Sequence, residues 1–206
     1  SAASDVYKRQ VHSTARNIGQ SKIFEMKSRL LEINPTASIN CIEDFFSEST
    51  KDKILTTGID FVFDGIDSLK SKCILISECK KRKIPVICSG GAGGKLDPTK
   101  IEIRDLNRTI NDQLLHRVRG DLKEKYGFSK YPKKLFRVPT VFSTEDTHIP
   151  LNINDNTNEN DELVQGACTQ FGSICHVTAS FGFAATSYVL KQLAEEEKYI
   201  DFHTHN

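Results

Sequence analysis

The sequence predicts an α/β fold, a mostly parallel sheet flanked by helices, on three observations. Asp60-Phe-Val-Phe-Asp64 is a short apolar run that ends in a carboxylate; Ser68 to Arg82 carries apolar residues at helical spacing; and Ile84-Pro-Val-Ile-Cys-Ser89 is a second apolar run that opens into Gly90-Gly-Ala-Gly-Gly94. Strand, helix, strand in this order is a parallel crossover unit. Ligands of open parallel sheets collect at the carboxyl ends of the strands. A carboxylate and a glycine run at two successive strand ends therefore predict one nucleotide-handling rim.

The remaining elements follow in chain order. Residues Ser1 to Lys8 show no period and read as a tail or an assembly artefact, so the domain is set at residues 9–206. Ile23, Phe24, Met26, Leu30 and Leu31 fall at helical spacing between Ser21 and Ile33, and Asn34-Pro35 stops that helix. Ser38 to Ile42 reads as a strand and Ser47 to Leu55 as a short helix. After the glycine run, Lys100 to Asp105 alternates strictly, which predicts a strand with one wet face. Ile110 to Tyr126 reads as a helix ended by Gly127, and Phe136 to Phe142 as a strand. Residues 152–162 are almost wholly Asn, Asp, Glu and Thr, too polar to bury, and read as a mobile loop. A last helix is expected over about 180–198, entered through Ser180-Phe-Gly-Phe.

The 28 Lys and Arg residues nearly cancel the 27 Asp and Glu residues, leaving a net charge of +1, so any polyanion must be met by a local patch. Lys80-Lys-Arg-Lys83 and the basic residues Arg117, Arg119, Lys123, Lys125, Lys130, Lys133 and Lys134 are the candidates; such runs also serve as solvated helix faces. The six cysteines, at 41, 73, 79, 88, 168 and 175, form no Cys-x-x-Cys pair, which argues for a reducing compartment and against zinc. Cys73, Cys79 and Cys88 lie in stretches where cysteine behaves as a small hydrophobe. No apolar run is long enough to span a bilayer, and the sequence does not indicate membrane association.

Nucleotide-binding α/β domains open with a strand, a Gly-x-Gly-x-x-Gly loop and a helix, because backbone amides and the helix amino terminus hold the phosphates. Nothing before Ser21 supplies that loop. The Gly90–Gly94 run is followed by Leu96-Asp-Pro98 instead of a helix, so a tight turn with close backbone packing competes with a phosphate cradle there. The fold class is thus α/β with a Rossmann-like mixed, mostly parallel sheet, missing the first strand-loop-helix unit.

A family resemblance rests on eight pieces taken in order. They are Asn17-Ile-Gly-Gln-Ser-Lys22, Glu32-Ile-Asn-Pro35, Phe63-Asp-Gly-Ile-Asp67-Ser68, Lys83-Ile-Pro85, Ser89-Gly-Gly-Ala-Gly-Gly94, Leu96-Asp-Pro98, Val141-Phe-Ser-Thr-Glu145 and Thr178-Ala-Ser-Phe-Gly-Phe183. Together they resemble the tRNA threonylcarbamoyladenosine dehydratases, a branch of the ubiquitin-activating-enzyme-like adenylating superfamily, over about Gln10 to Leu193. The chain reads as an amino-terminally incomplete member, and weak or undetectable ATP affinity is expected of it.

The resemblance implies a chemistry. Mg-ATP adenylates the carboxylate of the threonyl group on the modified adenosine beside the anticodon, and an atom of the same urea then displaces AMP and closes a ring. Asp64 matches the family's acidic residue that handles Mg²⁺ and ATP, or else caps the following helix. Lys22 matches the lysine that contacts ATP phosphates, and Arg9 and Gln10 match an Arg-Gln pair that also reaches ATP. Asp67 and Ser68 contact substrate or cap the helix, and Glu145 faces the reacting group or serves structure. Cys168 lies one position from a cysteine linked to sulfur transfer in some members, and that role is not carried over. The resemblance further implies a tRNA partner, a homodimer and a cytoplasmic location, or mitochondrial association in a eukaryotic cell. Two alternatives remain: activation of a ubiquitin-like or sulfur-carrier protein on the same Asp64 and Lys22, and a non-catalytic partner subunit.

Overall fold

The structure is a computed structural model that describes residues 17, 19–147 and 172–204, with side chains placed to residue 195. Four strands form one sheet in the order β1-β2-β4-β3: β1 (Val62–Asp64), β2 (Val86–Ser89), β3 (Ile101–Asp105) and β4 (Pro139–Ser143). β1 runs parallel to β2 and β2 to β4, while β3 pairs antiparallel with β4. The helices are α1 (Lys22–Ile33), α2 (Lys51–Ile54), α3 (Leu69–Arg82), α4 (Gln113–Lys125) and α5 (Cys175–Thr204). The expected mixed, mostly parallel sheet flanked by helices is present. Among the described residues no helix is long and apolar enough to cross a membrane.

Side-chain alternation along the strands divides the core in two. Val86, Cys88 and Phe142 face one side, where they pack with Cys73, Ile76 and Cys79 of α3 and Leu115, Val118 and Leu122 of α4. Ile87 and Val141 face the other, against Val177, Phe181 and Ala185 of α5. The last three are four residues apart and make one stripe of that helix. α3 is enclosed, with every residue from Lys72 to Cys79 buried. A group of ion pairs tethers α2 to its carboxyl end: Glu78 meets Lys51 at 3.4 Å, Lys81 at 2.8 Å and Arg82 at 3.3 Å, and Arg82 also pairs with Asp52.

Three sequence expectations need correction. Ser38 to Ile42 is not a strand, although Ile39 and Cys41 are more buried than Ser38 and Asn40. Alternation shapes a segment for a sheet, but a ladder also needs a neighbouring edge, and β1 pairs only with β2 among the described residues. The fourth strand begins at Pro139 instead of Phe136, because the Asp105 carboxylate accepts the backbone N–H groups of Phe136, Arg137 and Val138 and folds them into a tight loop, with Arg137 at φ 59°. The last helix begins at Cys175, not near 180. Val177 extends the buried stripe one turn earlier, and Ser180 Oγ donates to the His176 carbonyl at 2.7 Å, which satisfies the hydroxyl inside the helix. The polar segment 152–162 lies outside the described residues.

The packing separates two phenylalanines of equal size. Phe142 is fully buried in β4, whereas Phe45 is 90 % exposed. Phe142→Ala is expected to lower unfolding free energy by about 3–5 kcal/mol, and Phe45→Ala to change it by less than about 0.5 kcal/mol. Urea unfolding of both variants checks this, and equal losses would contradict the two-sided core.

Candidate active site

The carboxyl ends of β1, β2 and β4 gather the ionisable groups of interest. Asp64, the last residue of β1, is wholly buried, and its Oδ1 accepts the Ile66 N–H at 3.0 Å. Its Oδ2 lies 2.8 Å from Lys72 Nζ, and both side chains are inaccessible to solvent. Lys72 comes from the first turns of α3, on the same helical face as Leu69, Cys73 and Ile76. Cys88, opposite Asp64 in the parallel register, completes the floor. Burial first, and then the Asp64 carboxylate, push the Cys88 thiol well above its ordinary value.

The glycine run leaves β2 beside this floor, and its amides are largely engaged. Gly90 N–H donates to the Val141 carbonyl at 2.8 Å, Gly91 N–H to Asp112 Oδ2 at 2.8 Å, and Gly94 N–H to the Gly172 carbonyl at 3.1 Å. A Cβ on Gly90 would overlap Asp112 Oδ2 and crowd Leu115 and Phe142. The run is therefore a close-packed turn, and glycine is required where the Asp112 carboxylate approaches. Asp112 caps α4, its Oδ1 accepting the Leu115 N–H at 2.8 Å. Burial raises the pKa of this carboxyl, against the lowering effect of its two backbone donors and of Lys95 and Lys72.

Glu145 is also buried, and its Oε2 accepts the N–H groups of Leu96 and Asp97 at 3.0 and 2.9 Å. Lys95 reaches back to the carbonyls of Asn111, at 2.9 Å, and of Glu145. Burial lowers the Lys95 pKa, opposed by Asp112, Glu145 and Asp146. Glu145 and Lys95 thus clamp the turn that follows the glycine run.

The rim brings together Asp64, Asp67 and Ser68. Asp67 and Ser68 are exposed, and Ser68 occupies the N-cap position of α3 without a side-chain bond to the helix amides. Lys22 is exposed at the first residue of α1 and makes no hydrogen bond or ion pair with the rim. Arg9, Gln10 and Cys168 lie outside the described residues. Sequence reasoning missed Lys72, Lys95 and Asp112. A lysine on the apolar face of α3 was a readable signal for Lys72, and Asp112 directly before a helix a readable cap; nothing local marks Lys95.

The ThiF family model matches residues 7–203. The chain belongs to the ThiF family. A tRNA threonylcarbamoyladenosine dehydratase of Haemophilus influenzae is 40 % identical over 197 residues, covering 92 % of this chain and 71 % of the relative. The Escherichia coli protein of the same name is 36 % identical over 190 residues, 90 % of this chain and 70 % of its own length. A crystal structure of the E. coli tRNA N6-threonylcarbamoyladenosine dehydratase in complex with ATP superposes with a TM-score of 0.79 at 34 % identity, covering 91 % of this chain and 69 % of that one. A complex of the same enzyme with AMP matches equally well. The mostly parallel α/β fold and the dehydratase resemblance read from the sequence are both borne out.

Two predictions follow from this geometry. Lys72→Met leaves a buried carboxylate without its cation and is expected to cost about 3–5 kcal/mol, most of it recovered in Lys72→Met/Asp64→Asn. Chemical unfolding of the three proteins tests this; a single variant as stable as the wild type would remove the ion pair. Burial pushes the thiols of Cys73 and Cys79 to about 12 and about 11, and Cys88 is fully enclosed. Iodoacetamide at neutral pH is expected to label Cys41 and Cys175 in the native protein and to reach Cys73, Cys79 and Cys88 only after unfolding, as read by peptide mass spectrometry.

Proposed function

We propose that this protein is an ATP-dependent tRNA threonylcarbamoyladenosine dehydratase. The observation that carries the reading is the similarity to dehydratases over nine-tenths of the chain, including the Asp64 segment at the carboxyl rim of the parallel sheet. In the proposed reaction a threonyl carboxylate oxygen attacks the α-phosphorus of ATP and pyrophosphate leaves. An atom of the adjoining urea then attacks the activated carbonyl carbon, loses its proton, and expels AMP. The oxygen of the lost water departs within AMP. No side-chain nucleophile is needed; the protein supplies placement and charge balance.

The chain's residues divide these tasks. Asp64 and Lys72 form a charge-balanced floor whose geometry does not depend on solvent. Asp67 and Ser68 stand exposed beside it as the ligand-facing groups, and the uncapped first amides of α3 favour an anion. Lys22, Arg9 and Gln10 are assigned to ATP phosphates by resemblance. Glu145 acts as a positioning residue through its hold on Leu96 and Asp97. Magnesium, expected on Asp64, does not fit this arrangement as a protein-held ion. Both carboxylate oxygens have partners, Lys72 is already the counter-charge, and among the described residues no group of three His, Cys, Asp or Glu side chains is placed to hold a metal.

A homodimer belongs to the same reading. Phe63 on β1 and Phe24 and Ile33 on α1 leave apolar surface that a second copy can cover. A cytoplasmic or mitochondrial site of action follows from a tRNA substrate.

The purified protein, given Mg-ATP and tRNA carrying the threonylcarbamoyl adenosine, is expected to release AMP and pyrophosphate and to yield a nucleoside lighter by one water in mass spectrometry. AMP release that depends instead on a protein ending in Gly-Gly would establish the carrier-activating alternative. No AMP release with either acceptor would leave the non-catalytic partner-subunit reading.

A further inference from the structure

Opposite the rim, where α3 ends and β4 begins, the fold builds a second charged feature that the proposed chemistry does not use. Lys80, Lys134, Leu135 and Arg137 line a cleft of about 450 Å³. Lys80 is fixed in it: its Nζ donates to the Phe136 carbonyl and lies 5.3 Å from the centre of the Phe128 ring. Partial burial lowers its pKa, and the neighbouring charges of Arg137 and Lys134 act in the same direction. Among the described residues Asp105 is the one carboxylate acting on Lys80, and its oxygens already accept four backbone N–H groups, from Asn107, Phe136, Arg137 and Val138.

The loop carrying these cations is held in place. Asn107 Nδ2 donates to the carbonyls of Pro132 and Lys134 at 3.1 and 2.8 Å, and Arg108 donates to that of Lys133 at 3.2 Å. Arg137 is held at positive φ by the Asp105 clamp, a conformation unfavourable for a residue with a Cβ. The segment Ser129 to Arg137 contains four cations and no carboxylate. Several other basic residues named from the sequence are already engaged. Lys81 and Arg82 pair with Glu78, Lys125 pairs with Asp121, and Arg119 donates to Thr109 Oγ1. The cleft thus draws Lys80 and Lys134 from that list and adds Arg137, which the sequence did not single out.

We infer that this cleft is a seat for backbone phosphates of RNA, separate from the rim where the chemistry is proposed. Three cations line the cleft, Lys80 from α3 and Lys134 and Arg137 from a loop whose backbone is stapled in place, with no available counter-carboxylate among the described residues, and this suits a phosphodiester. The exposed Tyr131 and Leu135 on the same loop offer apolar surface to ribose and base. The concave shape and the single apolar lining residue disfavour a flat lipid surface. Phosphate contacts set register and orientation without reading sequence. The seat lies toward the other end of α3 from Asp64: Lys72, the partner of Asp64, and Lys80 are eight residues apart, about 12 Å along the helix axis. This inference rests on the tRNA substrate proposed above.

The test is tRNA binding by fluorescence anisotropy across a salt series, with wild type, Lys134→Glu/Arg137→Glu, and the charge-preserving Lys134→Arg/Arg137→Lys. The charge-reversed protein is expected to bind at least about tenfold more weakly at low salt, with the slope of log Kd against log salt reduced by about one per lost contact. The charge-preserving protein is expected to keep both, and all three to share one thermal midpoint. Equal affinity and slope in wild type and charge-reversed protein overturn the seat and leave the adenylating reading standing. Wild type that binds tRNA through this cleft but gives no dehydrated nucleoside sinks that reading and supports the seat. Selective binding of phosphatidylserine vesicles, with no binding of tRNA, overturns the seat in favour of a membrane contact.

Discussion

The buried pair of Asp64 and Lys72 is the constraint on which the candidate site depends. Removing each ion from water costs several kcal/mol, which is tolerable only because each is the other's partner at 2.8 Å and Asp64 also accepts the Ile66 N–H. The pair fixes three elements at once. It joins the end of β1 to the first turns of α3, and it sets the turn through Ile66 that exposes Asp67 and Ser68. Cys88 beneath it closes the floor with a group whose thiol stays protonated. A well-packed apolar pair would hold the same helix to the same strand, so stability alone does not account for two ions here. A floor of zero net charge suits the polyanionic nucleotide proposed to bind beside it.

The same device recurs elsewhere with the backbone as donor. Asp112 staples the glycine turn to the start of α4, Glu145 staples the turn at Leu96 and Asp97, and Asp105 staples the loop at Phe136 to Val138. Hydrogen bonds to charged groups contribute about 1.5–3 kcal/mol each, enough to hold loops that have little apolar surface of their own. Of these acids, Glu145 is the one the sequence also offers as facing the reacting group, and in the structure it is buried and holds the backbone of Leu96 and Asp97.

How far the fold was readable follows from the range of the interactions. The helices at Lys22–Ile33, Leu69–Arg82 and Gln113–Lys125 and the strand at Ile101–Asp105 are set by local periodicity, and their limits were close to those read from the sequence. The segment at Ser38 to Ile42 has the right alternation but no partner edge, which no local window reveals. The start of β4 was misplaced because Asp105 acts on backbone more than thirty residues away. At the site, Asp64, Asp67 and Ser68 were found through a motif. Lys72 was legible as a charge on an apolar helical face, yet its partner could be known only once β1 and α3 were packed. Lys95 was not legible, since both its acceptors are carbonyls of distant turns.

α3 links the two charged ends of the molecule. Lys72 near its beginning belongs to the rim, and Lys80 in its last turn belongs to the basic cleft, eight residues or about 12 Å along the axis. Every residue between Cys73 and Cys79 is buried, between the sheet on one side and α4 on another, so the helix cannot bend or slide without opening the larger core. The separation of the two sites is therefore set by the same packing that stabilises the domain. A polynucleotide gripped at the cleft would present to the proposed rim only a base at the matching distance along its backbone. Selectivity for one position in an RNA can then come from a fixed length together with contacts at the reacting group, with no base read at the cleft itself.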